Sequence, residues 1–145
     1  MLKSVVQSKR GGVLWLGEHH NSGPDHVLQE DIIRSIHAQR TAKMGNKGKA
    51  PPMALGLEQV QVRFQSALDQ YIAGAINLDT MRERVEWDKR WQWPFEVYEP
   101  VFKTARQLGI QLVALNVDSE HLAAVEKDGL PGLSRSQLSY YIPDA

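Results

Sequence analysis

The chain has 145 residues, no cysteine, and 17 basic side chains against 17 acidic ones, so its formal charge is zero. This length, with 42% hydrophobic and 8% aromatic content, supports one domain with a real core across 1–145. The balanced charge supplies no global field for nucleic acid or an anionic membrane, and the missing thiols exclude a disulfide framework, a thiolate zinc site, an iron–sulfur cluster and a cysteine nucleophile.

Residues 1–12 are polar and basic with only Val5 and Val6 as an apolar pair. They read as a flexible segment with neither a signal-peptide core nor a membrane anchor, so the chain as written is expected to be soluble, with its compartment unspecified. Val13-Leu14-Trp15-Leu16, ending at Gly17, is a short apolar run that predicts a buried strand. Ser22-Gly23-Pro24-Asp25 then opens a helix on which Leu28, Ile32, Ile33 and Ile36 recur at helical spacing. A basic, Gly/Pro-rich loop over 43–52 returns the chain to a second apolar run, Met53 to Leu57.

The next connection, 60–108, is much longer than a crossover needs and predicts a helical excursion. Phe64, Ala67, Leu68, Tyr71 and Ile72 mark one helix ending near Gly74; Leu78, Met81 and Val85 a second; Tyr98, Val101, Phe102, Ala105 and Leu108 a third ending at Gly109. Ile110 to Leu115 is the third apolar run. A short helix over 119–126 follows, then the breaker Gly129-Leu130-Pro131-Gly132 and a capping-box pattern from Ser134 to Gln137. Three buried strands interleaved with helices predict an α/β fold, mainly a parallel sheet flanked by helices.

In such sheets ligands bind beyond the carboxyl ends of the strands. The residues there are polar: Gly17-Glu18-His19-His20-Asn21, Glu58-Gln59 and Asn116-Val117-Asp118. Glu18, His20, Glu58 and Asn116 are thus expected at one edge, where carboxylates and an imidazole can bind a divalent metal or divide acid and base duties. His26 lies near enough in sequence to join them, while His37 and His121 read as surface residues. Segment 87–95 holds Trp87, Trp91 and Trp93 among cations. Those rings either stack on a planar ligand or wedge the excursion against the sheet. Tyr71 and Tyr98 read as core residues by position, yet a phenolate can also bind ferric haem, and Tyr140-Tyr141 is the other candidate pair. Without a Gly-rich nucleotide loop, a Walker lysine or a Gly-x-Ser-x-Gly elbow, nucleotide binding and serine hydrolysis drop out.

Gly17-Glu18-His19-His20 with Asp25-His26, Leu55-Gly56-Leu57-Glu58-Gln59, FQSALDQYIAG, WQWPFEVYEPVF and LVALNVDSEHL together resemble the ChaN-like domain of the haem-binding uptake proteins. That domain shares a superfamily with Tiki proteases, TraB-type proteins and erythromycin esterases, and the resemblance runs from about Val13 to Asp144. It implies haem or tetrapyrrole binding and iron uptake, with iron held by a tyrosine for which Tyr98 and Tyr71 are candidates. His26, Asn116, Trp91 and Trp93 complete the expected ligand pocket, and a homodimer is allowed for. Tiki-type relatives imply instead a metal-dependent hydrolase, in which His20, Glu58 and His26 hold a divalent ion and Glu18 is the general base. A non-catalytic interaction module is the third reading. The family domain normally continues past this C-terminus, so the chain is expected to be a fragment or a short form.

Overall fold

Ser22 starts the first helix by accepting the Asp25 amide on its side-chain oxygen at 3.4 Å, which satisfies one of the amides that a helix start leaves without a partner. Helix α1 runs Gly23–Met44 and buries Ile33 and Ile36 on one face. The computed structural model describes residues 12–44 and 52–142. The N-terminal segment up to Gly11 and the centre of the basic loop, 45–51, lie outside the described residues.

Strand β1 (Ala54–Gln61) pairs in parallel with β2 (Gln111–Asn116). The register is regular from Ala54 opposite Gln111 to Leu57 opposite Ala114, then shifts so that Gln61 faces Asn116. Such an irregularity re-aims side chains. Here Glu58 is left exposed between the buried Leu57 and Gln59, and Val60 enters the core. Between the strands come α2 (Gln65–Ile72), α3 (Leu78–Arg84), the one-turn α4 (Trp87–Arg90), a 3-10 turn at Phe95–Val97 and α5 (Glu99–Leu108). Gly74 and Gly109 stand just past α2 and α5 with φ of 78° and 65°, left-handed values that a residue without Cβ adopts without strain. The Gln65 side chain at the start of α2 donates to the Leu112 carbonyl and accepts from the Ala114 amide, both at 2.8 Å.

The core lies between the two strands and the excursion. Leu57, Val60 and Leu112 meet Leu68 and Tyr71 from α2, Met81 from α3 and Phe102 from α5. Trp87 and Phe95 fill the centre with ring centroids 4.9 Å apart, and the Trp87 indole donates to the Trp93 carbonyl at 2.9 Å. Helix α1 is tied to α5 where Thr104 donates to Glu30 and Arg34 donates to Thr104. After β2 come α6 (Ser119–Asp128) and α7 (Arg135–Tyr141), the latter opened by a complete capping box between Ser134 and Gln137.

The α/β class and the parallel pairing stand, but the expected strand at Val13–Leu16 forms no ladder, so the sheet among the described residues has two strands. The segment is extended, with Val13 and Trp15 77% and 84% exposed and Leu14 and Leu16 turned inward. Its inward side chains face a cavity instead of a neighbouring backbone. Alternation reveals an extended chain but does not provide a partner at hydrogen-bonding distance. His121 also departs from a plain surface position: its Nδ1 lies 2.6 Å from the Tyr141 hydroxyl and its Nε2 2.8 Å from Gln137.

Leu112 is fully buried and Leu122 is 47% exposed. Leu112→Ala should therefore cost about 2–5 kcal/mol in urea unfolding, whereas Leu122→Ala should stay within about 0.5 kcal/mol.

Candidate functional site

The extended segment before α1 delivers Glu18 into the protein, where its side chain is only 5% exposed. A carboxylate so placed needs donors. Four converge on it from different parts of the chain: His20 Nδ1 at 3.0 Å, Gln29 of α1 at 2.6 Å, Gln59 of β1 at 3.3 Å and the Tyr98 hydroxyl at 2.8 Å. His26 Nδ1 lies 3.4 Å from the second carboxylate oxygen. Burial pushes the Glu18 pKa up, but the hydrogen bonds from His20, Gln29 and Tyr98 together with the His26 contact outweigh it, and the net shift is downward. The group is held as a carboxylate.

Tyr98 shows the opposite balance. Burial is the largest cause holding its pKa above the ordinary phenol value. The Trp91 indole N–H lies near without a well-aligned hydrogen bond and works against that rise, while the Glu18 charge adds to it. Its hydroxyl is a donor, to Glu18 and at 3.2 Å to the His20 carbonyl. A phenolate ligand is therefore disfavoured at this position.

His20 stands at the boundary with solvent, its side chain 35% exposed. Its ring packs edge-on against Trp91 at a centroid distance of 5.1 Å and lies 5.7 Å from Trp93. Glu58, with a 61% exposed side chain, reaches within 3.7 Å of His20 Nδ1. One ligand atom each from Glu18, His20 and Glu58 lies within 4.8 Å of the others. His26, expected beside these as a ligand, is fully buried behind them, its Nε2 3.2 Å from the His20 carbonyl and its ring 4.1 Å from that of Tyr98. Both of its nitrogens are thus engaged inside the wall. His19 points away, and with Ser22 it holds the exposed Asp25 pKa down at about 2.

The structure brings together Glu18, His20, His26, Glu58, Tyr98, Trp91 and Trp93 from the residues singled out in the sequence. Two others stand apart. Tyr71 is buried in the core with the Arg106 guanidinium 4.9 Å above its ring, and burial raises its pKa. Asn116 ends β2 opposite Gln61, with no described hydrogen bond to the cluster. Gln29 was not singled out, although it sits on α1 one turn before Ile32 and Ile33. A polar residue on an otherwise apolar helical stripe is the signal that would have found it.

The sequence profile of the family described as "Haem-binding uptake, Tiki superfamily, ChaN" matches residues 5–145. The chain belongs to this family. It is also similar to "Protein RETICULATA-RELATED 5, chloroplastic" of Arabidopsis thaliana, 28% identical over 137 residues, which are 92% of this chain and 17% of that protein. No solved structure matches. Among the described residues of this ChaN-family domain, no helix is long and apolar enough to cross a membrane.

A carboxylate whose folded pKa is depressed contributes stability above its ordinary value near 4.5 and loses it as pH falls through the folded pKa. Glu18→Gln should accordingly lower stability by about 1–3 kcal/mol at pH 7. The gap to wild type in urea titrations should narrow below pH 4.5.

Proposed function

We propose that this ChaN-family domain binds haem or a related tetrapyrrole in the service of its uptake or handling, with His20 as the residue that meets the metal. The observation that carries the reading is the state of the His20 ring. Nδ1 is held by the Glu18 carboxylate at 3.0 Å, which leaves Nε2 as the nitrogen available to a ligand. A carboxylate on the far nitrogen is the usual support for a metal-binding imidazole, because it fixes the ring and raises its basicity. The nearby Trp91 and Trp93 faces suit a planar aromatic ligand. The family description points the same way.

These residues fit haem through an imidazole better than through a phenolate. Tyr98 is committed as a donor to Glu18, Tyr71 lies in the core, and exposed Tyr140 packs on Tyr141 without a described contact to the cluster. When bound, haem would supply an iron able to take a side-chain ligand, and His20 is the residue that would hold it. The chain's own residues orient that imidazole and keep a carboxylate charged beside it.

The grouping of Glu18, His20 and Glu58 within 4.8 Å favours a divalent cation as a second ligand. As a hydrolase, the site would need Glu18 as general base. A carboxylate that already accepts four hydrogen bonds and has its pKa lowered is poorly suited to taking a proton.

Haemin titration of the metal-analysed protein, followed at the Soret band, tests the reading. A saturable shift should appear in wild type, survive Tyr98→Phe and vanish in His20→Ala. A shift that survives His20→Ala would remove His20 from the role. No shift, together with one divalent metal per chain that is lost in Glu58→Gln, would favour the cation.

A further inference from the structure

How the Glu18 carboxylate is turned decides what His20 can do, and its two oxygens are not held alike. Oε1 faces three donors: His20 Nδ1 at 3.0 Å, the Tyr98 hydroxyl at 2.8 Å and Gln59 Nε2 at 3.3 Å. Oε2 faces α1, where Gln29 Nε2 donates at 2.6 Å and His26 Nδ1 stands at 3.4 Å. The Gln29 bond is the shortest of the set. A carboxylate is planar and turns about a bond whose own torsional preference is broad. Whatever grips Oε2 therefore sets the plane in which Oε1 meets the His20 ring.

Gln29 is placed to do this. It is half-buried and lies on the same face of α1 as His26, one helical turn further on. With its Nε2 committed to Glu18, the amide's Oε1 is left 3.4 Å from His26 Nδ1. A flip of the amide would set its oxygen against the carboxylate, so the orientation is fixed by its partners. Helix α1 is itself pinned to α5 through Glu30, Arg34 and Thr104. The grip on Oε2 thus comes from a helix that cannot drift. Glu58, the other acid near the His20 ring, stands 3.7 Å from Nδ1 with an exposed side chain, too far to hold that nitrogen in place of Glu18.

We propose that Gln29 is a positioning residue for His20: by fixing the plane of the Glu18 carboxylate, it keeps the proton of the neutral imidazole on Nδ1 and leaves Nε2 as the bare nitrogen. Which imidazole nitrogen carries the proton is set by the hydrogen bond that the other makes or lacks, so a carboxylate turned out of line releases the choice. Tyr98 and Gln59 do not serve in this way. They bond the same oxygen as His20 and compete for it instead of aiming it. The consequence for a metal bound at Nε2 rests on the haem reading; the tautomer does not, since it belongs to the protein alone.

Nitrogen NMR shifts of the His20 ring in the full chain, taken at about pH 8.5 where imidazoles are neutral, read the tautomer directly. Wild type should hold the proton on Nδ1. In Gln29→Met, which keeps the side chain's length but removes its donor, the ratio of Nδ1-protonated to Nε2-protonated ring should fall about tenfold. Tyr98→Phe removes one hydrogen bond from the same carboxylate and should leave the ratio in place, a contrast that lost stability alone would not produce. Equal ratios in wild type and Gln29→Met would overturn the proposal, and so would an equal fall in Tyr98→Phe. Wild type supplies a check that needs no variant to fold. One Gln29 side-chain amide proton should lie downfield and exchange slowly, and two ordinary, fast-exchanging amide protons would also overturn the proposal. Haemin titration keeps this apart from the reading it deepens: Soret-detected affinity should drop about tenfold or more in Gln29→Met. A wild type with the expected tautomer but no Soret shift would sink the haem reading and leave the positioning role standing.

Discussion

The structure around the site depends on a single buried charge. Glu18 sits in the wall of the domain, and its carboxylate is tolerated only because donors from the extended segment, α1, β1 and the start of α5 meet there. Three stretches of chain far apart in sequence, around residues 18–29, Gln59 and Tyr98, are thereby held to one point. A long-range polar centre of this kind has a defined geometry that apolar contact alone does not impose. The orientation of His20, the donor state of Tyr98 and the position of the buried His26 all follow from where that carboxylate lies.

The aromatic segment is anchored from the opposite side. Arg90 is almost wholly buried by its partners, reaching Glu86 on its own turn, Gln61 at the end of β1 and Glu120 at the start of α6. Arg63 joins the same network through Asp118 and Glu120. Glu86, one side of this clamp, is the described non-glycine residue with positive φ, at 53°. Its left-handed backbone turns the chain from α3 into α4 and presents Trp87 to the core and Trp91 to His20. Trp87 thus acts as a wedge in the core, while Trp91 and Trp93 pack against that core beside the His20 ring.

Features governed by local chemistry were legible in the sequence. Gly74, Gly109 and the Ser134 capping box end or start helices where their residue types require it, and the three main excursion helices follow their apolar spacing. The grouping of Glu18, His20 and Glu58 was legible because polar residues follow apolar runs, although Glu58 proves to lie within β1 at its irregularity and not after it. What local signals could not supply was partnership. Val13–Leu16 has the composition of a strand, but a strand exists only if another backbone lies beside it. The depth of His26 and the donor role of Gln29 likewise depend on residues distant in the chain.

Gln65 bears on how the domain behaves at high concentration. Its amide bonds the Leu112 carbonyl and the Ala114 amide, occupying the hydrogen-bonding groups that a further strand would otherwise use. A two-stranded sheet presents open margins on which a second chain can template itself. A side chain that imitates a peptide unit closes one of them without committing the protein to a third strand. Resistance to intermolecular sheet growth in this fold therefore rests partly on one glutamine.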